Sequence, residues 1–519
     1  MRWTDPILAF VLAVALLNGG CTQQSEESML TVLAGSELKD LEPMLEDIQD
    51  NTGIHLKMHY IGTLDGAEKL MAGEAVDLAW FSHGKYLTLL QGNRVVAQEK
   101  IMLSPVVLGV KESKARAWGW VDNPDLTWRD IAVRAGNGEL RFAMTNPAAS
   151  NSGFTALVGA AAALAGSGDA LRPETIDHGA LQTFFKGQQL TAGSSGWLAE
   201  SYVRERDRLD GMINYESVLM QLNDSGRLNE KLYLVYPKEG IITADYPLML
   251  MDPNRREDYQ KLVAYLRSPE FQKAILERTQ RRPVIPQVRL NDGFPQQLLV
   301  ELPFPNSLDV IDRLLFAYLD EQRIPSHAIF VLDISGSMKG KGLNQLKTAL
   351  NNLTGLDRGL TGQFSRFRGR ERVTLVTFNE RVQDIRDFQI NDPQIQGADM
   401  QRIRQYVNAL RAEGGTAIFS ALQEAYNLAA RVRREDPERY YSIVLMSDGE
   451  NRNGISQRTF QHYYRALPED IRRIKTFTVL FGDADADSLA ALAATTGGRV
   501  FDGRTEMLSQ VFKHIRGYQ

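Results

Sequence analysis

Three closely spaced side chains that carry oxygen, Asp333, Ser335 and Ser337, follow an apolar run, Ala328–Leu332, and lead into a helix-like stretch. Further on, Thr416 ends a Gly-Gly-Thr turn, and Asp448 follows the apolar run Val444–Met446 by two residues. Together they supply two carboxylates and three hydroxyls, all oxygen donors. A hard divalent cation such as Mg2+ or Mn2+ takes that set and can keep a water-filled or open position. Taken singly, each residue could equally cap a helix or fill a turn. As a set they mean more, because Asp333 and Asp448 both end apolar runs. In open α/β sheets, ligands gather outside the carboxyl ends of the strands. The chemistry indicated is metal-mediated binding rather than catalysis.

Other chemistries fit less well. His55 and His59 are four apart, but Ile54–Tyr60 alternates like a strand, which separates them by roughly 13 Å. Asp483, Asp485 and Asp487 echo the start of a calcium loop, yet Ser488 and Ala494 stand where that loop needs Gly and Glu. They read as turn and helix-cap residues. Ser-x-x-Lys occurs at Ser36–Lys39 and Ser82–Lys85 without the companion Lys-Thr-Gly of penicillin-recognising enzymes. Gly-x-Ser-x-Gly, His-Glu-x-x-His and a phosphate-binding Gly-rich loop are absent. The reading is therefore no enzyme; a hydrolase using Ser36 or Ser82 is the remaining alternative in that class.

At 519 residues the chain should hold more than one domain. Its 43% hydrophobic and 24% charged content is that of globular protein, and a net charge of −5 gives no reason to expect nucleic acid. The basic residues Arg366, Arg368, Arg370 and Arg372 read as a solvated loop. The single cysteine, Cys21, follows an apolar run from Ile7 to Leu17, too short to span a bilayer but long enough for a signal core. With Gly19 and Gly20 before it and a polar stretch after it, the segment resembles a bacterial lipoprotein signal. That resemblance implies lipidation of Cys21 and a membrane anchor. An ordinary secretory peptide and an uncleaved anchor are the alternatives. Thr22 after the cysteine leans towards the outer membrane or cell surface rather than the inner membrane.

The elements that must position the five oxygens come next. From about His327, buried-type strands at Ala328–Leu332, Val373–Phe378, Ser442–Met446, Lys475–Phe481 and Arg499–Asp502 alternate with helical patterns. Such alternation predicts a doubly wound, mostly parallel sheet covered on both faces. The segment 327–519 resembles von Willebrand factor A domains, and Asp333, Ser335, Ser337, Thr416 and Asp448 resemble their metal-ion-dependent adhesion site. The resemblance implies a Rossmann-like fold and a partner protein that offers an acidic residue to the metal.

Residues 29–300 form a different α/β pattern, with strand-like runs at Leu30–Ala34, Ile54–Ile61, Val76–Phe81, Pro105–Val110, Leu140–Thr145 and Lys231–Tyr236. The order resembles type II extracellular solute-binding proteins of the molybdate-receptor kind. This implies two lobes, with crossings near Ser104-Pro105 and Tyr246-Pro247. A proline-containing linker with an amphipathic helix, 301–326, joins the two domains. Residues 1–21 are read as signal peptide and 22–28 as polar tether. Hydroxyls and helix starts at Ser36, Thr63, Ser82, Thr145, Asn146 and Ser152 could seat an oxyanion. Tyr215 matches the aromatic that reaches into such pockets. Glu216 beside it would repel an anion and suit a cation or amine, unless it faces solvent.

The function expected is that of a lipid-anchored, exported protein that binds a partner through a Mg2+- or Mn2+-dependent site. Its solute-binding-like domain would sense or bind a small ligand. The alternative is a transport receptor in which the second domain only docks.

Overall fold

The computed structural model describes residues 28–519, with 92, 93, 167, 296, 297 and 483 left aside. Cys21, its signal-like run and Asp483 lie outside the described residues.

Two sheets build the amino-terminal domain. The chain runs through β1 (Ser28–Gly35), β2 (Ile54–Ile61), β3 (Leu78–Trp80), β4 (Ala97–Lys100), β5 (Met102–Lys111) and β6 (Phe142–Thr145). It continues through β7 (Gln188–Ala192), β8 (Gly211–Tyr215), β9 (Leu232–Val235), β10 (Ile242–Ala244), β11 (Pro247–Leu250) and β12 (Arg282–Pro283). The first lobe has the order β2-β1-β3-β11-β4, and the second β10-β5-β8-β6-β7 with β9 and β12 also on β5. The chain therefore leaves the first lobe at Ile101, three residues before the Ser104-Pro105 expected from sequence. It returns at Asp245-Tyr246, where Tyr246 takes a φ of +37°.

The linker helix Leu308–Ala317 is no free joint. Val310, Ile311, Leu314 and Leu315 are buried in the same apolar core that runs through both lobes. Phe304, just before it, stacks on His83 with ring centroids 4.5 Å apart.

The carboxy-terminal sheet comprises β13 (Ser326–Asp333), β14 (Arg372–Phe378), β15 (Val382–Gln389), β16 (Tyr440–Ser447), β17 (Lys475–Leu480) and β18 (Val500–Asp502). Its order is β15-β14-β13-β16-β17-β18, all parallel except the edge strand β15. Alternate residues explain why the strands are apolar throughout. Phe330, Leu332, Val444 and Met446 pack on one face with Leu346, Leu350 and Phe512. Ile329, Val331, Ile443 and Leu445 pack on the other with Ile418, Leu422 and Ala425. Both faces are covered, so period-two alternation disappears.

Of the four arginines from 366 to 372 only Arg370 is exposed as a solvated loop requires; Arg366 and Arg372 are half-buried and Arg368 is buried. Arg368 is 1% exposed and paired with Asp320, and burial brings its pKa down to about 10. Arg370 donates to the Asp320 and Arg323 carbonyls, and Arg372 pairs with Asp387 at 2.8 Å. Tertiary partners along the linker and β15 decide their burial.

Candidate functional site

Asp333 closes β13 at the center of the sheet, and Ser447-Asp448 follows on the neighbouring β16. One Asp333 oxygen accepts from the Ser335 backbone N–H at 2.8 Å, and the other from the Ser447 hydroxyl at 2.5 Å. Ser335 Oγ lies 3.0 Å from Ser337 Oγ, which in turn donates to Asp448 Oδ1 at 2.8 Å. Thr416 enters from the loop between two helices. Its loop is tied to the first turn by the Gly336 N–H donating to the Gly414 carbonyl at 2.9 Å. The Asn453 side chain accepts from the Thr416 N–H at 3.1 Å. A side-chain carbon on Gly449 would stand 3.7 Å from both Ser337 Oγ and Thr416 Oγ1, so the two hydroxyls border the same glycine.

Asp333 is fully buried, and Ser335, Thr416 and Asp448 nearly so, while Ser337 is exposed. The cluster thus opens to solvent on one side. Burial pushes the Asp333 carboxyl up to about 6 against the hydrogen bonds from Ser335 and Ser447, with the Asp448 charge adding to the rise. Two carboxylates held together without a neutralising cation cost free energy, and a divalent ion would relieve that cost. The spacings also fit. Adjacent oxygens around a six-coordinate Mg2+ at about 2.05 Å stand about 2.9 Å apart, as do the Ser335–Ser337 and Ser337–Asp448 pairs. Among the described residues no group of three or more His, Cys, Asp or Glu gathers for a metal, and the candidate site itself offers two carboxylates beside three hydroxyls.

The second site is a cavity of about 380 Å3 at the mouth of the cleft between the lobes. Ser36, Asn146, Ser150, Asn151 and Ser194 line it from the amino-terminal domain. Arg499, Lys513, His514 and Arg516 line it from the carboxy-terminal domain, whose last helix, Leu508–Arg516, lies over the opening. Lys513 pairs with Asp357 at 2.6 Å and Glu68 at 3.7 Å, and His514 with Glu506 at 3.4 Å and Asp65 at 3.7 Å. Tyr518 packs edge-on against Trp197 at 4.9 Å.

With both geometries in view, likeness to known proteins decides the family. The family model of bacterial extracellular solute-binding proteins matches residues 30–278, and that of the von Willebrand factor type A domain matches 328–514. The chain joins a bacterial solute-binding domain to a von Willebrand factor A domain. It is 29% identical over 179 residues to "Uncharacterized protein sll0103" of Synechocystis sp., covering 34% of this chain and 37% of that protein. It is 29% identical over 202 residues to human inter-alpha-trypsin inhibitor heavy chain H2, covering 37% of this chain and 19% of that protein. The chain thus spans little more than a third of the first relative and about a fifth of the second.

Among the solved structures similar to this chain is the periplasmic binding protein AfuA of Actinobacillus pleuropneumoniae with fructose-6-phosphate (13% identity, 57% of this chain, 99% of that one, TM-score 0.45). Another is iron-bound HitA of Pseudomonas aeruginosa (18% identity, 56% of this chain, 98% of that one, TM-score 0.42).

The solute-binding domain uses its expected residues unevenly. Ser36 and Asn146 face the cavity. Thr145 and Ser152 spend their hydroxyls on each other at 2.9 Å, and Ser152 also meets Ser195 at 2.8 Å. The Thr63 N–H donates to Asn151 Oδ1 at 2.9 Å, which makes Thr63 part of the lobe contact. Ser82 and Tyr215 are fully buried beside Glu37. Glu216 is neither in the pocket nor solvent-facing. It is fully buried and forms a two-pronged pair with Arg282, both bonds 2.7 Å, and accepts from Tyr236 at 2.5 Å. Arg282 lies 66 positions away in sequence, so no local signal reveals the pair.

Lys85 lies over the Phe304 ring, and Ser82 is buried beside Glu37. In the von Willebrand factor A domain, Ser447, Asn453 and Gly414 were missed by sequence reading. Ser447 directly precedes Asp448 and was legible as part of the same strand end.

Proposed function

We propose that this is an exported, envelope-anchored binding protein whose von Willebrand factor A domain captures a partner protein through a divalent cation. The observation that carries the reading is the set of oxygens from Asp333, Ser335, Ser337, Thr416 and Asp448. They meet at one solvent-open rim, with successive spacings of 2.8 and 3.0 Å along Asp448, Ser337 and Ser335. These residues would hold Mg2+ or Mn2+, directly or through water, and the ion would offer an electrophilic position to a partner's carboxylate. The protein's own part is to hold the oxygens in register. Ser447 and the Ser335 N–H fix Asp333, and the Gly336–Gly414 bond fixes the Thr416 loop.

The role is non-catalytic, and the partner presents an acidic side chain. Membership of an extracellular solute-binding family supports export. Anchoring through Cys21 rests on the sequence pattern. Among the described residues no helix is long and apolar enough to cross a membrane. Capture of envelope proteins by the full-length protein, in Mg2+ or in excess chelator, tests the reading. Retention should occur in Mg2+ alone and vanish with Asp333→Ala. Equal retention in chelator rejects it.

A second reading, a solute receptor with the other domain as dock, is favoured by the 380 Å3 cavity. It predicts small-molecule binding that is unchanged by Asp333→Ala.

A further inference from the structure

Glu37 lies two residues beyond β1, and its side chain folds back over the last residue of that strand. That residue is Gly35, where an added Cβ would stand 2.6 Å from Glu37 Oε1. Glycine there is what makes room for the carboxylate. Glu37 Oε1 then reaches across the cleft to two donors of the other lobe, Asn151 Nδ2 at 3.1 Å and the Tyr215 hydroxyl at 3.4 Å. Asn151 opens the helix Asn151–Ala165, and Tyr215 ends β8.

On the near side stand Ser82 and Arg281. Arg281 is 1% exposed, held by Asp40 at 2.6 Å and by the Glu37 carbonyl at 3.1 Å, with its guanidinium 5.0 Å from the center of the Tyr246 ring. The hydroxyls of Ser82 and Tyr246 are fully buried; Ser82 lies within reach of the Glu37 carboxyl and Tyr246 of Arg281, but neither hydroxyl reaches full hydrogen-bond geometry. Amide, hydroxyl and guanidinium groups from both lobes thus surround one buried carboxyl group, whose pKa burial raises against the hydrogen bonds and the Arg281 charge. Buried polar groups are seldom left unpaired without a reason.

We propose that Glu37 is a tethered ligand: its carboxylate fills, from within the chain, an anion site built between the lobes by Ser82, Asn151, Tyr215, Tyr246 and Arg281. The free ligand class of the emptied site is a small carboxylate such as acetate. The domain is then a receptor closed by its own side chain. The inference does not depend on the metal reading of the other domain.

Acetate titrated calorimetrically into the full-length protein and its Glu37→Ala and Glu37→Gln variants tests the idea, with chloride at equal ionic strength as control. Glu37→Ala should bind acetate at 1:1, at least roughly tenfold tighter than wild type, and its Tm should rise with acetate. Glu37→Gln keeps the space filled and should take up none. A folded Glu37→Ala that ignores acetate overturns the proposal, as does a wild type or Glu37→Gln that binds acetate equally well. Should Glu37→Ala fail to fold in plain buffer, acetate must restore folding, and failure to do so also overturns it.

Discussion

Asp333 has to be a carboxylate to hold a cation, yet burial lifts its pKa to about 6. On the proposed reading protons and metal compete for this one group, and affinity for Mg2+ should fall as pH drops through about 6. The Mg2+-induced rise in Tm should be clear at pH 7.5 and strongly reduced at pH 5; equal shifts at both would dissociate Asp333 from the metal. That Asp333 and Asp448 come together at one edge of the sheet was legible because each ends an apolar run of a parallel strand. Glu37 was not, because its meaning depends on Asn151 and Tyr215, 114 and 178 positions away. Glu216 was misjudged for the same reason.

At the scale of elements, the continuous apolar strands made the central sheet readable, whereas β15 escaped notice. It is half-buried or exposed throughout, with Ile385, Arg386 and Asp387 all facing water, so it lacks the continuous apolar run that marks the inner strands. The loop carrying Thr416 depends on Gly414, with φ +79° and room for a Cβ only 3.0 Å from Asn379 Nδ2. Gly414→Ala should cost about 1 kcal/mol in chemical unfolding and weaken metal affinity while keeping the fold; unaltered metal affinity would exclude the loop from the site.

His327 on β13 is fully buried. Its Nε2 lies 2.8 Å from Thr374 Oγ1 and 3.8 Å from Asp387, and Arg372, Arg439, Asp436 and the Tyr441 ring lie around it. Burial lowers its pKa to about 4, with Arg372 adding to the effect. Here the folded pKa lies below the unfolded one. Stability from the neutral ring is complete above about 6.5 and declines as pH falls towards 4, by at most about 3 kcal/mol. In His327→Gln that part of the acid limb should flatten, as read from urea midpoints between pH 7 and 4.

Across the whole molecule, the von Willebrand factor A domain lies over the solute cleft rather than swinging free. Lys513 sits between Asp357 and Glu68, and Lys475 reaches Glu205 at 2.9 Å. Lys513→Ala leaves Asp65, Glu68 and Asp357 close together and half-buried. It should lower stability by about 3 kcal/mol and enlarge the radius of gyration by X-ray scattering; an unchanged radius would mean that other contacts hold the domains together. The segment 301–326 reads as a linker from its prolines, but its helix is part of the first core, which only its packing partners could reveal. Mn2+ binding followed by electron paramagnetic resonance tests the account at its center, using the full-length protein and Asp333→Ala. The account predicts one Mn2+ per wild-type chain in an oxygen-only shell and none on the variant; a wild type that holds no Mn2+, or a variant that binds it equally, would contradict it.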